Sequence, residues 1–130
     1  MPPLLFPGAV PDQGPSELEA TFGLLTLRGT SVAARATAFA VPELGVALDV
    51  GRLSPSIAAQ PVVLVSHTHL DHFSAVLAYL NLRARFWPGA PPRLVVPREV
   101  VEPFKGALRL MPGVDSVRKR LDVDLSLIHI

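Results

Sequence analysis

Apolar positions in the first half of the chain predict strands that follow one another closely. The segments 22–29 (FGLLTLRG) and 31–39 (SVAARATAF) predict two strands joined by a turn at Arg28–Ser31, with Gly29 supplying the turn. The segment 45–50 (GVALDV) predicts a third strand, and 61–66 (PVVLVS) a fourth. The unbroken Val/Leu run of the fourth indicates burial on both faces, as in a sheet that carries a layer on each side.

The second half alternates strands with helices. Phe73, Leu77, Leu80 and Ala84 recur at helical spacing, and Trp87–Gly89 ends that pattern. The segment 91–96 (PPRLVV) predicts a strand. A second helix is expected to begin at Pro103, with an inner face listed in chain order as Phe104, Ala107, Leu108 and Met111. Residues 111–125 are expected to hold one more strand and a turn, and the order of elements predicts an α/β sandwich.

Composition fits one globular domain with an uneven charge distribution. The chain has 130 residues, of which 49% are apolar and 18% charged, with a net charge of +1. Residues 1–80 carry three Arg and six acids (−3), whereas 81–130 carry nine Lys or Arg and five acids (+4). A basic face for a phosphate-bearing substrate would explain this split, and a solvated helix face is the simpler explanation.

Two absences narrow the class of protein. There is no cysteine, so a metal site would need nitrogen and oxygen ligands. No apolar run reaches the ~20 residues of a membrane span, and the proline-broken start does not resemble a signal peptide. We expect no membrane association and a cytoplasmic location, with residues 1–20 forming an irregular Pro-rich leader before a domain at 21–124.

The segment Ser66–His72 holds the main cluster of side chains that could bind a metal. It reads SHTHLDH and comes at the end of the strand that is predicted to be buried on both faces. Imidazole and carboxylate are good ligands for metals such as zinc. Side chains two apart on an extended segment point the same way, so His67 and His69 can grip one ion. Asp71 and His72 lie where the predicted strand changes to a helix, so their side chains can face a second metal-binding position. Paired metals activate water for hydrolysis, so we expect a dinuclear hydrolytic site here.

His67–His72 fits the HxHxDH signature of the metallo-β-lactamase superfamily, which this chain resembles. Asp49, which closes the preceding strand shortly before Gly51, resembles the superfamily's earlier aspartate motif. The resemblance implies an αββα sandwich. It implies that His67 and His69 bind a first zinc ion and that Asp71 and His72 bind a second. Asp49 would orient the ligand loop through hydrogen bonds.

Within that superfamily, the surroundings are most similar to ribonuclease Z, the tRNA 3′-end processing endonucleases. The similar features are the strand pair, the LDVG segment, the basic helix end LNLRAR and the following PPRLVVPREVVEPF. The chain departs from that family at Leu70, where glycine is usual, at 75–78 (AVLA), where Gly-Leu-Pro is usual, and at Val50 and Arg52, since the early motif is usually Asp-Cys-Gly-Glu.

The resemblance implies a phosphodiesterase that acts on RNA, with Asp71 both a metal ligand and the base for the attacking water. Arg83, Arg85 and Arg93 would attract backbone phosphates. Two Zn²⁺ ions are expected, although Mn²⁺ and Fe accept the same donors. A homodimer is a further expectation. Two alternatives stay open: a hydrolase of a small ester, thioester or lactone, and a non-catalytic metal-binding or interaction protein.

The last residues, Leu125–Ile130 (LSLIHI), resemble the translation of a sequencing-library adaptor. We therefore expect 125–130 to be a non-native tail, with His129 carrying no function. The superfamily completes its site with a later histidine, a bridging aspartate and a final histidine, for which 73–124 offers no histidine. The resemblance thus covers the N-terminal half of the fold, and a fragment of this extent is expected to be inactive.

Overall fold

The computed structural model describes residues 17–114 and 124–128, which form one seven-stranded sheet in chain order. The strands are β1 (Leu18–Phe22), β2 (Leu25–Val32), β3 (Ala36–Val41), β4 (Val46–Leu48), β5 (Val62–Leu64), β6 (Arg93–Pro97) and β7 (Asp124–Ile128). The first four strands pair antiparallel, and β4 through β7 pair parallel. The predicted strands at 45–50, 61–66 and 91–96 are confirmed, with β5 between β4 and β6.

The predicted turn at Arg28–Ser31 is wrong, because β2 runs through these residues without a break. Gly29 is a strand residue, and a Cβ there would lie 2.1 Å from the Ala38 carbonyl oxygen and 2.6 Å from the Phe39 ring. Glycine therefore permits close approach of β3 rather than a turn. The chain reverses instead at Gly23 and at Ala34, both with φ of 60°.

Four α-helices pack on the sheet, and the first predicted helix is in fact two. Their bounds are α1 (Pro55–Ala58), α2 (Leu70–Phe73), α3 (Val76–Phe86) and α4 (Val101–Val114), with 3₁₀ turns at Pro42–Leu44 and Arg98–Val100. The break between α2 and α3 changes the helical phase. The buried face of α3 is therefore Val76, Tyr79, Leu80 and Arg83. Of the predicted set only Leu80 is fully buried, and Ala84 is exposed.

The second predicted helix begins earlier than expected. Its α-helical residues start at Val101 rather than Pro103, directly after the 3₁₀ turn. Phe104 is buried as predicted, Leu108 is half-buried and Ala107 is exposed. The Met111 side chain and residues 115–123 lie outside what the structure describes.

The helices cover one face of the sheet. The core joins the sheet residues Ala38, Ala40, Ala47, Val63, Leu94 and Val96 to side chains of α1, α3 and α4. The other face is also largely apolar. Besides Thr37 and Arg93 it carries eight partly exposed apolar residues: Leu27, Phe39, Val41, Val46, Leu48, Val62, Leu64 and Val95. The expected layer on each side of β5 is thus present on one side within the described residues.

The ends of the described region bear on the predicted segments. β1 begins at Leu18, within the last residues assigned to the leader, and residues 1–16 lie outside the described part. The backbone of Asp124–Ile128 pairs with β6. That residues 125–130 are non-native stays a prediction. No helix in the described ranges is both long and apolar enough to cross a bilayer.

Candidate metal centre

Two neighbouring parallel strands deliver the candidate site residues to one edge of the sheet. β4 ends at Leu48 and Asp49 follows directly, whereas β5 ends at Leu64 and leads into Ser66–His69. Because the carboxyl ends of parallel strands meet at the same edge, the two segments lie side by side. Helix α2 then begins at Leu70 and carries Asp71 and His72 in its single turn.

The structure brings the three predicted imidazoles together. The ring centroid of His67 lies 4.6 Å from that of His69 and 4.1 Å from that of His72. The fourth predicted ligand is adjacent, because Asp71 Oδ2 lies 3.5 Å from His72 Nε2. The side chains of Asp71 and His72 are 17% and 20% exposed, so both are mostly shielded and reachable from solvent.

The buried carboxylate of Asp49 is hydrogen-bonded to this cluster. Its Oδ2 lies 2.8 Å from His72 Nδ1, and its Oδ1 accepts a 2.7 Å hydrogen bond from the Ser66 backbone N–H. The Ser66 hydroxyl stands 2.9 and 2.8 Å from the two carboxylate oxygens. Asp49 is only 6% exposed, and these donors satisfy a carboxylate that would otherwise be costly to bury.

Backbone hydrogen bonds lock the two loops together. The Val50 N–H donates to the His72 carbonyl at 2.8 Å, and the Ala75 N–H donates to the Val50 carbonyl at 3.0 Å. Asp49 adopts φ of 60°, a left-handed conformation that aspartate tolerates better than most residues. Gly51 completes the turn, since a Cβ there would lie 1.7 Å from the Asp71 carbonyl oxygen.

The donor set fits a borderline divalent metal in the kind of its ligands. The His72 Nδ1 bond to Asp49 leaves Nε2 for coordination, which is the usual arrangement for a ligating histidine. The 3.5 Å from that nitrogen to Asp71 Oδ2 is near the roughly 3.4 Å between two donors on one tetrahedral zinc ion. Within residues 17–114 and 124–128, no group of three or more His, Asp or Glu side chains is placed so that it could hold a metal ion. Metal binding by His67, His69, Asp71 and His72 is therefore a proposal that rests on their residue types and their proximity.

Two supporting residues, Ser66 and Gly51, have structural roles that the sequence pattern does not predict. Ser66 directly precedes the first histidine of the motif. A hydroxyl at that position could have indicated a hydrogen bond to the neighbouring ring. Gly51 belongs to the aspartate motif that the sequence shows, and a glycine two residues after a strand-end aspartate also indicates close backbone approach.

One of the three arginines expected to attract phosphates is buried in the structure. Arg83 is 3% exposed, with Nη1 lying 3.2 Å from the Ala59 carbonyl oxygen and its guanidinium 4.3 Å from the Trp87 ring centre. It packs α3 against α1 and cannot reach a substrate phosphate. Arg85 is exposed, and Arg93 pairs with Asp124 at 2.7 Å.

Comparison with known proteins points to one group of enzymes. No family model matches the chain. It is 27% identical over 90 residues to a tRNase Z (TRZ1) of Arabidopsis thaliana, a match that covers 69% of this chain and 32% of the relative. It is 34% identical over 79 residues to the nuclear ribonuclease Z of Triticum aestivum, covering 58% and 44%. It is 30% identical over 99 residues to the chloroplastic tRNase Z TRZ2 of Arabidopsis thaliana, covering 76% and 27%.

In each case the match spans less than half of the relative's length. The three relatives share a name for one activity, although two are named for different compartments. The expected location in the cytoplasm therefore stays a prediction. The chain is a mixed α/β protein similar, at low identity, to part of proteins named tRNase Z or ribonuclease Z.

Proposed function

We propose that this chain is the ligand-bearing N-terminal half of a metal-dependent phosphodiesterase that processes RNA in the manner of ribonuclease Z. The observation that carries the proposal is the gathering of His67, His69, Asp71 and His72 at the carboxyl edge of β5, over a buried Asp49. The names of the curated relatives support the RNA substrate.

In the proposed site, His67 and His69 hold one Zn²⁺ ion and Asp71 and His72 hold a second. Two such ions, when bound, supply an activated water and polarise a phosphoryl oxygen. The Asp71 side chain is mostly shielded but reachable from solvent, and its carboxylate takes the proton of the attacking water in this proposal. Asp49 keeps the His72 ring in place through the 2.8 Å bond at Nδ1.

The uncovered sheet face supports the proposed αββα architecture. Eight partly exposed apolar residues on β2–β6 form a continuous surface with no layer on it in the described residues. A surface of this kind normally marks a contact. We propose that a second sheet covers this apolar face in a polypeptide of the same length as the relatives. A longer protein should bind less hydrophobic dye per molecule than this chain, and equal binding would contradict the second sheet.

The proposed activity is tested on the complete protein with a precursor tRNA that carries a 3′ extension. We expect endonucleolytic cleavage that a chelator stops and zinc restores. Asp71→Asn should lower kcat by roughly 10²–10⁴-fold. The matched control is Glu102→Gln, which makes the same chemical change at an exposed carboxylate.

The outcome separates the proposal from its alternatives. Cleavage of a thioester or lactone with no cleavage of RNA would favour the small-molecule hydrolase. Metal binding without turnover of either substrate would favour the non-catalytic protein. Full activity in Asp71→Asn would remove the proposed base.

A further inference from the structure

The Ser66 hydroxyl bridges the buried carboxylate to an imidazole that the carboxylate does not touch itself. Ser66 Oγ lies 2.9 Å from Asp49 Oδ1 and 2.8 Å from Oδ2. On its other side it lies 3.0 Å from His67 Nδ1. A continuous chain of hydrogen bonds thus runs from Asp49 through Ser66 to His67.

The direction of these bonds follows from counting protons. A serine hydroxyl has one proton, and an ionised carboxylate is an acceptor only. The hydroxyl therefore donates to Asp49 and turns its oxygen lone pairs toward His67. In the neutral ring the Nδ1 of His67 must then be the donor, so its Nε2 keeps an unshared electron pair. The direct bond from His72 Nδ1 to Asp49 gives His72 the same tautomer.

We propose that Ser66 is a positioning residue through which the single carboxylate of Asp49 sets the tautomer of both His67 and His72. A histidine binds a metal through its unprotonated nitrogen, and the hydrogen bond at the other nitrogen fixes which one that is. Ser66 thereby presents Nε2 of His67 to the metal before the metal arrives. The role in metal binding rests on the proposed function, whereas the tautomer is a property of the metal-free chain.

The tautomer is tested by long-range ¹H–¹⁵N NMR of the metal-free chain, recorded at a pH at which the ¹⁵N shifts show neutral rings. In the unmodified chain we expect His67 to carry its proton on Nδ1. In Ser66→Ala it should revert toward the Nε2–H form that an unconstrained neutral histidine side chain prefers. Ser66→Thr retains a hydroxyl and should restore the Nδ1–H signal. His72 should be unchanged in both variants, because its bond to Asp49 is direct.

Metal affinity provides the second readout, with Zn²⁺ as the probe on the complete protein. Ser66→Ala should weaken binding by roughly 10–100-fold, the usual effect of losing a hydrogen-bond partner of a ligating histidine. Ser66→Thr should bind nearly as the unmodified protein does. Circular dichroism of Ser66→Ala shows whether the variant folds, and the tautomer of His67 in the unmodified chain still tests the proposal if it does not.

The proposal is overturned if His67 carries its proton on Nε2 in the unmodified chain. It is also overturned if Ser66→Ala leaves the Nδ1–H signal and the zinc affinity unchanged. These outcomes are distinct from failure of the proposed function. A chain with the expected tautomers that cleaves no RNA retains the role of Ser66 and loses only the proposed substrate.

Discussion

Asp49 reaches His72 across 23 positions of sequence, with 2.8 Å between Oδ2 of the carboxylate and Nδ1 of the ring. The contact joins the end of β4 to the single turn of α2. The Ser66 N–H and hydroxyl converge on the same carboxylate from the end of β5. One buried side chain at the end of β4 therefore ties together the two segments that bear the candidate ligands, the end of β5 and α2.

Replacing Asp49 by Asn should weaken both the fold and the site. Asparagine also tolerates the left-handed backbone at this position, so the variant changes the charge and leaves the backbone undisturbed. Its amide nitrogen cannot accept the hydrogen bonds now made to one carboxylate oxygen. We expect a loss of about 1–3 kcal/mol in the free energy of unfolding, measured by urea denaturation.

The control for this variant is Asp124→Asn, which breaks a pair with Arg93 that is about half exposed on both sides. Exposed pairs contribute roughly 0–1 kcal/mol, so the control should unfold nearly as the unmodified chain does. Equal losses in the two variants would contradict the central position given to Asp49.

Gly51→Ala should be strongly destabilising although it adds a single methyl group. The new Cβ would lie 1.7 Å from the Asp71 carbonyl oxygen and 2.9 Å from the Thr37 backbone nitrogen, so backbone atoms would have to move. We expect a loss of roughly 1–3 kcal/mol, as for other overpacked sites, together with a weaker metal affinity.

Gly106→Ala in α4 is the control, since nothing lies within 4 Å of its added Cβ. Alanine is favoured over glycine within a helix, so this variant should gain about 0.5–1 kcal/mol. Opposite signs for the two substitutions are the expected result in urea unfolding. A neutral Gly51→Ala would mean that the Asp71 backbone is not packed on this turn.

Arg83→Met should destabilise the chain without touching the site. The substitution keeps an apolar stem but leaves the Ala58 and Ala59 carbonyls without their guanidinium donor. The expected cost is about 1–3 kcal/mol in thermal or urea unfolding. Arg85→Met, on the exposed side of the same helix, should stay within about 0.5 kcal/mol of the unmodified chain. A larger loss of stability in Arg85→Met than in Arg83→Met would contradict the structure, in which Arg83 is buried and Arg85 is exposed.

Tyr79 should make the fold sensitive to alkaline pH. Burial raises the pKa of its phenol from 10.0 to about 12, and its hydroxyl donates a 2.7 Å hydrogen bond to the Gln60 carbonyl. Between these two values the unfolded chain has released the proton and the folded chain retains it. Stability from this group is therefore complete below pH 10 and falls as pH rises toward 12, by about 1.4 kcal/mol per unit at most.

The measurement is urea unfolding between pH 9 and pH 11.5 for the unmodified chain and for Tyr79→Phe. The variant should lose about 1 kcal/mol at pH 9 because the hydrogen bond is gone. It should then fall less steeply with rising pH. Parallel pH profiles for the two proteins would show that Tyr79 is not the responsible group.

The sequence predicts the parts of this molecule that rest on local pattern. The Val62–Leu64 strand is visible because its apolar run is unbroken, and the ligands stand out because three imidazoles fall in six positions. The turn placed at Gly29 was wrong because a glycine signals either a reversal or a close neighbour, and only the position of Phe39 decides between them. The face of α3 was misassigned because the break after Phe73 changes the phase and no breaking residue announces it.

The hydrogen bonds within the site could not be predicted from the sequence, because they depend on which segments are neighbours in the fold. Asp49 was recognised as a residue near the ligand loop, but its reach to both Ser66 and His72 depends on β4 and β5 being parallel neighbours. The burial of Arg83 depends likewise on the packing of α1 against α3. Both are long-range relationships that periodicity along one segment does not contain.

The most direct test of the central claim is the metal content of the complete protein, purified with and without the double substitution His67→Ala, His69→Ala. The claim is that the edge of β5 delivers a compact set of nitrogen and oxygen donors to bound metal. We expect the unmodified protein to retain zinc at close to two ions per chain and the double variant to lose at least one of them. Unchanged metal content in a folded double variant would contradict the assignment of the site.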